Sequence, residues 1–424
     1  MNKFLKLNTF LSFFILLVLA GSCNNDDDTD TQTDDVGVTD DDPMTDDDPM
    51  DEGSLFVVHS FVSTPSGSVS LINQTGEINQ QPDFNSNTAN ILEFEDFTGI
   101  SGLPSSGFFL AVNLDGSVTR YTFGENDEFI EGETLSFTNF GGASFPSNSQ
   151  MLYVNEDKAY HFPFGESLMI VWNPTTMEVI EAIDYPAEFD SPDFVFRQIK
   201  PVLRGTDIYI ALDYTSETDL IGTRRQGVFV GKIDSNTDQV TLISDDRFFS
   251  DGEVLGVGPD NNIYVFSHID TAFRSAQTAA NQDFTDYVLR ILPNDEFDPD
   301  YEVSLVESTG IQRPIAPNFM TAEGNVIVQV RSENAPTWEE RLDGANWNYA
   351  QVRWPDFTQI DVPNNIPDAA FTTAISEVDG IPVLTANNAD FSAATMWTIT
   401  PQGVGENIIE FGEGSSVFGV LRIR

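Results

Sequence analysis

The chain has 424 residues, of which 68 are Asp or Glu and 19 are Lys or Arg, a formal charge of −49 at pH 7. A surface so acidic repels polyanions, which excludes nucleic acid as a partner and makes anionic headgroups poor ones. One cysteine cannot make a disulfide within the chain, so a stapled scaffold is excluded as well.

Lys3 and Lys6 open the chain with positive charge, Leu11 to Leu19 is apolar apart from Ser12, and Ala20-Gly21-Ser22 sets small residues before Cys23. So short an apolar run does not span a bilayer and fits a cleavable signal peptide over residues 1–22. The segment resembles a bacterial lipobox, which implies cleavage before Cys23 and lipidation of that residue. An ordinary signal with an incidental cysteine is the alternative. Cys23 to Gly53 carries fourteen acids, no Lys or Arg, and two copies of Thr-Asp-Asp-Asp-Pro-Met, at 39–44 and 45–50. Self-repulsion and the lack of large apolar residues predict a disordered acidic linker over 23–53. Acids directly after the lipidated cysteine also resemble the Bacteroidota-type signal for the outer face of the outer membrane. A lipoprotein facing the periplasm is the alternative, and several acyl chains anchor stably on either side.

From Gly53 onward 17 Lys and Arg face 54 Asp and Glu, a balance of −37. Here short strands alternate with turns. One strand type recurs at Ser54–Val58, Gly107–Val112, Lys158–Phe162, Asp207–Leu212, Asn262–Phe266, Asn325–Val330 and Ile381–Thr385. The spacing of about 50 to 60 residues suits four strands with their turns. Turn signals precede several copies, as at Arg204-Gly205-Thr206 and Gly258-Pro259-Asp260-Asn261. A second strand follows most of them, for example Leu168–Trp172 and Gly227–Ile233, and then an outer strand, for example Met177–Ile183. Seven repeats predict an all-β fold, a seven-bladed β-propeller over 54–424, with Val417–Ile423 joining the first blade to close the ring. A two-domain β-sandwich assembly is the rival arrangement.

Insertions at one point of successive repeats gather on one face, commonly the binding face. The loop after the recurring strand is short at 113–116 and 163–166 and long at 214–226, 268–286 and 331–347. Those long loops hold Arg224, Arg225, Arg274, Arg331, Arg341, Trp338 and Trp347. Guanidinium groups pair with oxyanions and stack on rings, so this set suits a planar, aromatic, anionic ligand. The competing reading pairs each arginine with a local acid. Fourteen Arg against three Lys in the body suggest fixed, directional contacts. Arg197 and Arg313, just before inner strands, either line the channel or tie blades together.

His59, His161 and His268 are the only histidines. Their separation around a ring argues against a shared metal. Asn113–Gly116 and Asn294–Asp300 offer oxygen ligands without calcium-loop spacing and read as turns. No nucleophile elbow, zinc helix, phosphate loop or paired-carboxylate motif occurs, and neither a metal nor a catalytic residue is assigned.

Lys158-Ala159-Tyr160 and Ile170-Val171-Trp172-Asn173-Pro174-Thr175-Thr176-Met177-Glu178 carry a family resemblance, supported by Leu289-Arg290-Ile291 and Glu296–Asp300. The sequence resembles secreted propellers associated with siderophore systems: proteins of myxochelin clusters and, more distantly, surface lipoproteins that capture ferric enterobactin-type siderophores. The shared residues look like turns and blade strands, so they transfer fold better than ligand. The resemblance implies a non-enzymatic outer-membrane lipoprotein, anchored by lipid and facing the exterior. It would bind a ferric siderophore, favouring catecholates, and hand it to a TonB-dependent receptor, with iron present only inside that ligand. The alternatives are a propeller lyase, hydrolase or lactonase acting on a glycan or siderophore, and a receptor-docking module without a small ligand.

Overall fold

The computed structural model describes residues 54–424 except 65–66, 79–89, 96–97, 143–149, 217–218, 268–284, 312–314, 333–343, 364, 371–374, 379, 390–391, 401–402 and 412–414. The signal, Cys23 and the acidic linker lie outside the described residues, and so do Arg274, Arg313, Trp338, Arg341 and His268.

Seven antiparallel sheets stand in a ring, a seven-bladed β-propeller. The first contains β1 (Phe56–Thr64), β2 (Gly67–Thr75) and β3 (Ile91–Phe94); the second β4 (Thr98–Ser101), β5 (Phe109–Asn113), β6 (Ser117–Phe123) and β7 (Phe129–Ser136). The third is β8 (Met151–Asn155), β9 (Lys158–His161), β10 (Leu168–Asn173) and β11 (Glu178–Asp184). The fourth has five strands: β12 (Phe194–Arg204), β13 (Asp207–Ser216), β14 (Asp219–Arg224), β15 (Gln226–Asp234) and β16 (Gln239–Phe249). The fifth has β17 (Gly252–Val257), β18 (Ile263–Ser267) and β19 (Val288–Ile291); the sixth β20 (Ile315–Met320), β21 (Val326–Arg331), β22 (Trp347–Val352) and β23 (Ile360–Asp361). The seventh is β24 (Ile375–Val378), β25 (Ile381–Asn387), β26 (Ala394–Ile399) and β27 (Gly405–Phe411). The last strand, β28 (Ser415–Arg422), returns to the first sheet as its inner strand, pairing Phe56 with Arg422 and Val62 with Ser415.

Each recurring apolar strand is the second strand of its sheet, and its composition follows from that place. Successive side chains point to opposite faces of a strand. In β13, Ile208, Ile210, Leu212 and Tyr214 pack with Tyr160, Phe162 and Met169 of the third sheet. Tyr209 and Ala211 pack with Leu255, Ile263 and Val265 of the fifth. Seven such clusters occur among the described residues, each between neighbouring sheets, and both faces of a second strand therefore need apolar residues.

Tyrosines in these strands also latch one blade to the next. The Tyr160 hydroxyl donates to Asp238, in the turn between β15 and β16, and Lys158 pairs with the same carboxylate at 2.8 Å. One blade on, Tyr209 donates to Asp295, which also meets Arg204 and Lys232. Asp238 and Asp295 both sit at positive φ, 59° and 65°, in the tight turns that present them. Tyr264 accepts from the Trp354 indole N–H at 3.3 Å and donates to Asp260 at 2.9 Å. The Trp-Asn-Pro-Thr-Thr segment is likewise a turn: Asn173 Oδ1 accepts from the amides of Thr175 and Thr176 at 2.8 and 2.9 Å. Arg120 of the second sheet reaches the Thr175 carbonyl at 2.6 Å. Asn113–Gly116 and Asn294–Asp300 are turns too, with Asp115 bonded to Ser117 and Asp298 to Arg290.

Candidate functional site

Strand direction alternates within each sheet, so every connection after a second strand opens on the face where the inner strands begin. The described strand ends that flank the three enlarged connections therefore share one face. Ser54, Arg424 and the turn at Asn126–Asp127 line a groove of 360 Å³ on the opposite face. Ser54, the first described residue, therefore lies on that opposite face.

The connection 214–226 is not a simple loop. β13 runs on to Ser216 and β14 folds back against it, pairing Thr215 with Arg224. The extended hairpin carries a charge cluster at its upper end. Asp213, fully buried, takes Arg224 Nε at 2.9 Å and also pairs with Arg197. Arg224 further donates to Thr215 Oγ1 at 2.7 Å. Arg197 lies within the inner strand β12 rather than before it, and its side chain keeps 15% exposure. Arg225 is half-buried, 4.7 Å from the ring centre of Tyr214 and 4.3 Å from that of Phe229.

The other described residues of the expected set lie deeper. Arg331 ends β21 and is buried, 6.0 Å from the ring centre of Trp347, the residue opposite it in β22. Trp347 is fully buried as well. Arg224, Arg331 and Trp347 are thus strand residues rather than exposed loop residues. Their apolar stems and rings fill the upper ends of the sheets, and a surface ligand would not reach Trp347 without a rearrangement. Below them Lys200, at φ 51° in a bulge of β12, donates to the Asn318 carbonyl of β20 at 3.0 Å. That bond joins the inner strands of the fourth and sixth sheets across the axis.

His59 and His161 are fully enclosed, against Phe418 and Phe137 respectively, and desolvation lowers each to about 3. Both are therefore neutral imidazoles in the core at physiological pH. Among the described residues no group of three His, Cys, Asp or Glu is arranged to hold a metal ion.

A cleft of 150 Å³ opens on the long-loop face between the fourth and fifth sheets. Phe248 and Tyr287 form its apolar wall, their rings 4.7 Å apart and tilted by 31°. Gln226, Arg247, Asp251 and Thr285 supply its polar lining. Asp251 is 1% exposed and stands in the short connection Ser250-Asp251 that leads from β16 into β17. Sequence reasoning missed it, because attention to long loops passes over two-residue connectors. The available signal was topological: connectors from an outer strand to the next inner strand open on the same face.

No family model matches the chain, and no curated protein matches it. Solved propellers do. A candidate 6-phosphogluconolactonase from Bacteroides fragilis aligns at 11% identity and TM-score 0.50, covering 90% of this chain and all of that one. A second candidate lactonase, from Bacteroides uniformis, aligns at 11% identity and TM-score 0.48, over 88% of this chain and all of that one. AztD of Citrobacter koseri, in its apo form, aligns at 8% identity and TM-score 0.44, over 87% and 97%. Identities this low speak to fold alone.

Proposed function

We propose that the protein is a non-enzymatic, lipid-anchored binding propeller that captures a ferric siderophore, catecholates favoured, and passes it to a TonB-dependent outer-membrane receptor. The observation that carries the binding reading is the opposition of the two faces: Ser54 lies on one, and the strand ends that flank the enlarged connections lie on the other. An anchor through Cys23 would then hold the enlarged connections toward the medium. On that face Arg225, stacked on two rings, and Arg197, steadied by Asp213, offer the cationic contacts an aromatic trianion needs. Screening over about 8 Å at physiological salt lets such a locally positive mouth act within an acidic protein. Arg274, Arg341 and Trp338 remain proposed contacts.

The full chain in a non-ionic detergent is expected to lose tryptophan fluorescence on titration with ferric enterobactin. Arg225→Gln and Arg274→Ala should each weaken binding by about tenfold, on the order of 1.4 kcal/mol. Absence of affinity for every member of a catecholate and hydroxamate panel would remove the siderophore reading.

A further inference from the structure

We infer that Lys200 is an axial tie that closes the central channel partway down and leaves the propeller a single working mouth. This does not depend on the siderophore reading. Two irregular inner strands make the tie. In β12 the ladder with β13 slips between Ile199 and Val202, and the residues caught in the slip are Lys200 and Pro201. In β20 the ladder with β21 slips between Pro317 and Phe319, and the residue caught there is Asn318. A bulged residue leaves the ladder, and proline, which has no N–H, is tolerated at such a break on the free edge of a sheet. The Asn318 carbonyl so released is buried, and a buried carbonyl without a donor is costly. Lys200 Nζ supplies the donor at 3.0 Å. To do so Lys200 sits at φ 51°, a region that residues with a Cβ avoid and that a following proline disfavours further. Such backbone persists only where its surroundings hold it, and the contact across the axis is what it secures.

The fifth sheet stands between the two, and its inner strand makes room. A Cβ on Gly256 of β17 would run into the Cβ of Met320 in β20, so these strands are in close contact. That approach draws the sixth sheet near enough for a lysine of the fourth to reach past the fifth. The Ser101–Tyr153 bond, 2.9 Å long, also links inner strands, but those belong to neighbouring sheets. The Lys200 bond is instead a chord of the ring, and a chord lies across the bore. Lys200 and Asn318 are 4% and 3% exposed, so little solvent reaches this level. A guest taken up at one mouth must therefore leave by the same mouth.

The propeller has three lysines, and the other two, Lys158 and Lys232, keep 23% and 20% side-chain exposure. The full chain in a non-ionic detergent is acetylated with a water-soluble succinimidyl ester, then digested for mass spectrometry. Lys158 and Lys232 are expected to react at least tenfold faster than Lys200, and all three at similar rates in urea. A Lys200 that reacts as fast as the other two in the folded chain means an open bore and overturns the inference. Lys200→Met keeps the stem and removes the donor. It should lower the thermal midpoint by several degrees and speed hydrogen exchange at least tenfold in peptides from β12 and β20, leaving β5 and β6 unchanged. An unaltered midpoint, or exchange that is unchanged or raised equally in all four strands, also overturns it. Should Lys200→Met fail to fold, labelling of the parent chain still decides. Siderophore titration reads none of these quantities, so the two proposals stand or fall separately.

Discussion

At residue scale the chemistry is dominated by polar groups held inside the ring. His59 and His161 are neutral in the fold, yet titrate near 6.5 once the chain unfolds. Below that pH the unfolded state takes up two protons that the folded state refuses, so stability falls as pH drops from about 6.5 toward 3. Each histidine should cost about 2 kcal/mol between pH 7 and pH 5. Urea unfolding of the parent and of His161→Phe across that range should show roughly half the slope in the variant, and an unchanged slope would refute the assignment. The latches make a separate prediction. Asp295 is partly desolvated, which works to raise its pKa, but Lys232 and Tyr209 hydrogen bonds and the Arg204 charge hold it below the usual range. Its contribution is present above the ordinary carboxylate pKa near 3.9 and is lost as acid titrates it below that value. Asp295→Ala should lower stability by about 1–3 kcal/mol at pH 7, measured by denaturant unfolding. The difference between this variant and the parent should narrow as pH falls below about 3.9.

At the scale of the strand, the second strand of each blade was legible and the inner strand was not. A second strand packs against two neighbouring sheets and so reads as an unbroken apolar run, such as Asp207–Leu212. Inner strands such as Thr98–Ser101 and Gly252–Val257 meet the channel and close backbone neighbours, and their small residues mute the signal. The closing strand was legible because it repeats the apolar alternation of β1, its partner. The candidate site was read less well. Arg224 and Arg331 stand at the junction of strand and loop, and sequence order alone does not tell a guanidinium that crowns a sheet from one folded beneath it. Asp213, whose carboxylate draws both Arg197 and Arg224 inward, lies inside an apolar strand, where its partners are set by tertiary pairing. Packing energetics can be checked on the same element. Ile210→Ala in β13 empties a fully buried site and should cost about 2–5 kcal/mol in thermal or denaturant unfolding.

For the whole molecule, the ring limits the open sheet edges to the outermost strands, several of which carry acids. β11, Glu178–Asp184, shows this with Glu178, Glu181 and Asp184 along one rim. Localisation belongs to this scale as well. Cys23→Ser should move the protein from the membrane fraction to the soluble fraction, scored by fractionation and immunoblotting. Replacing Asp26, Asp27 and Asp28 by Ala should reduce access of external protease to intact cells, if those acids direct outward display. The pairing of β1 with β28 also sets a timetable. The first sheet receives its innermost member, β28, only after the strands of the other six sheets have been made, so its hairpin waits with a bare margin through that span of synthesis. A newborn chain is thereby kept from locking early, and any stall before β28 has been made leaves an adhesive, protease-sensitive product rather than a nearly finished one.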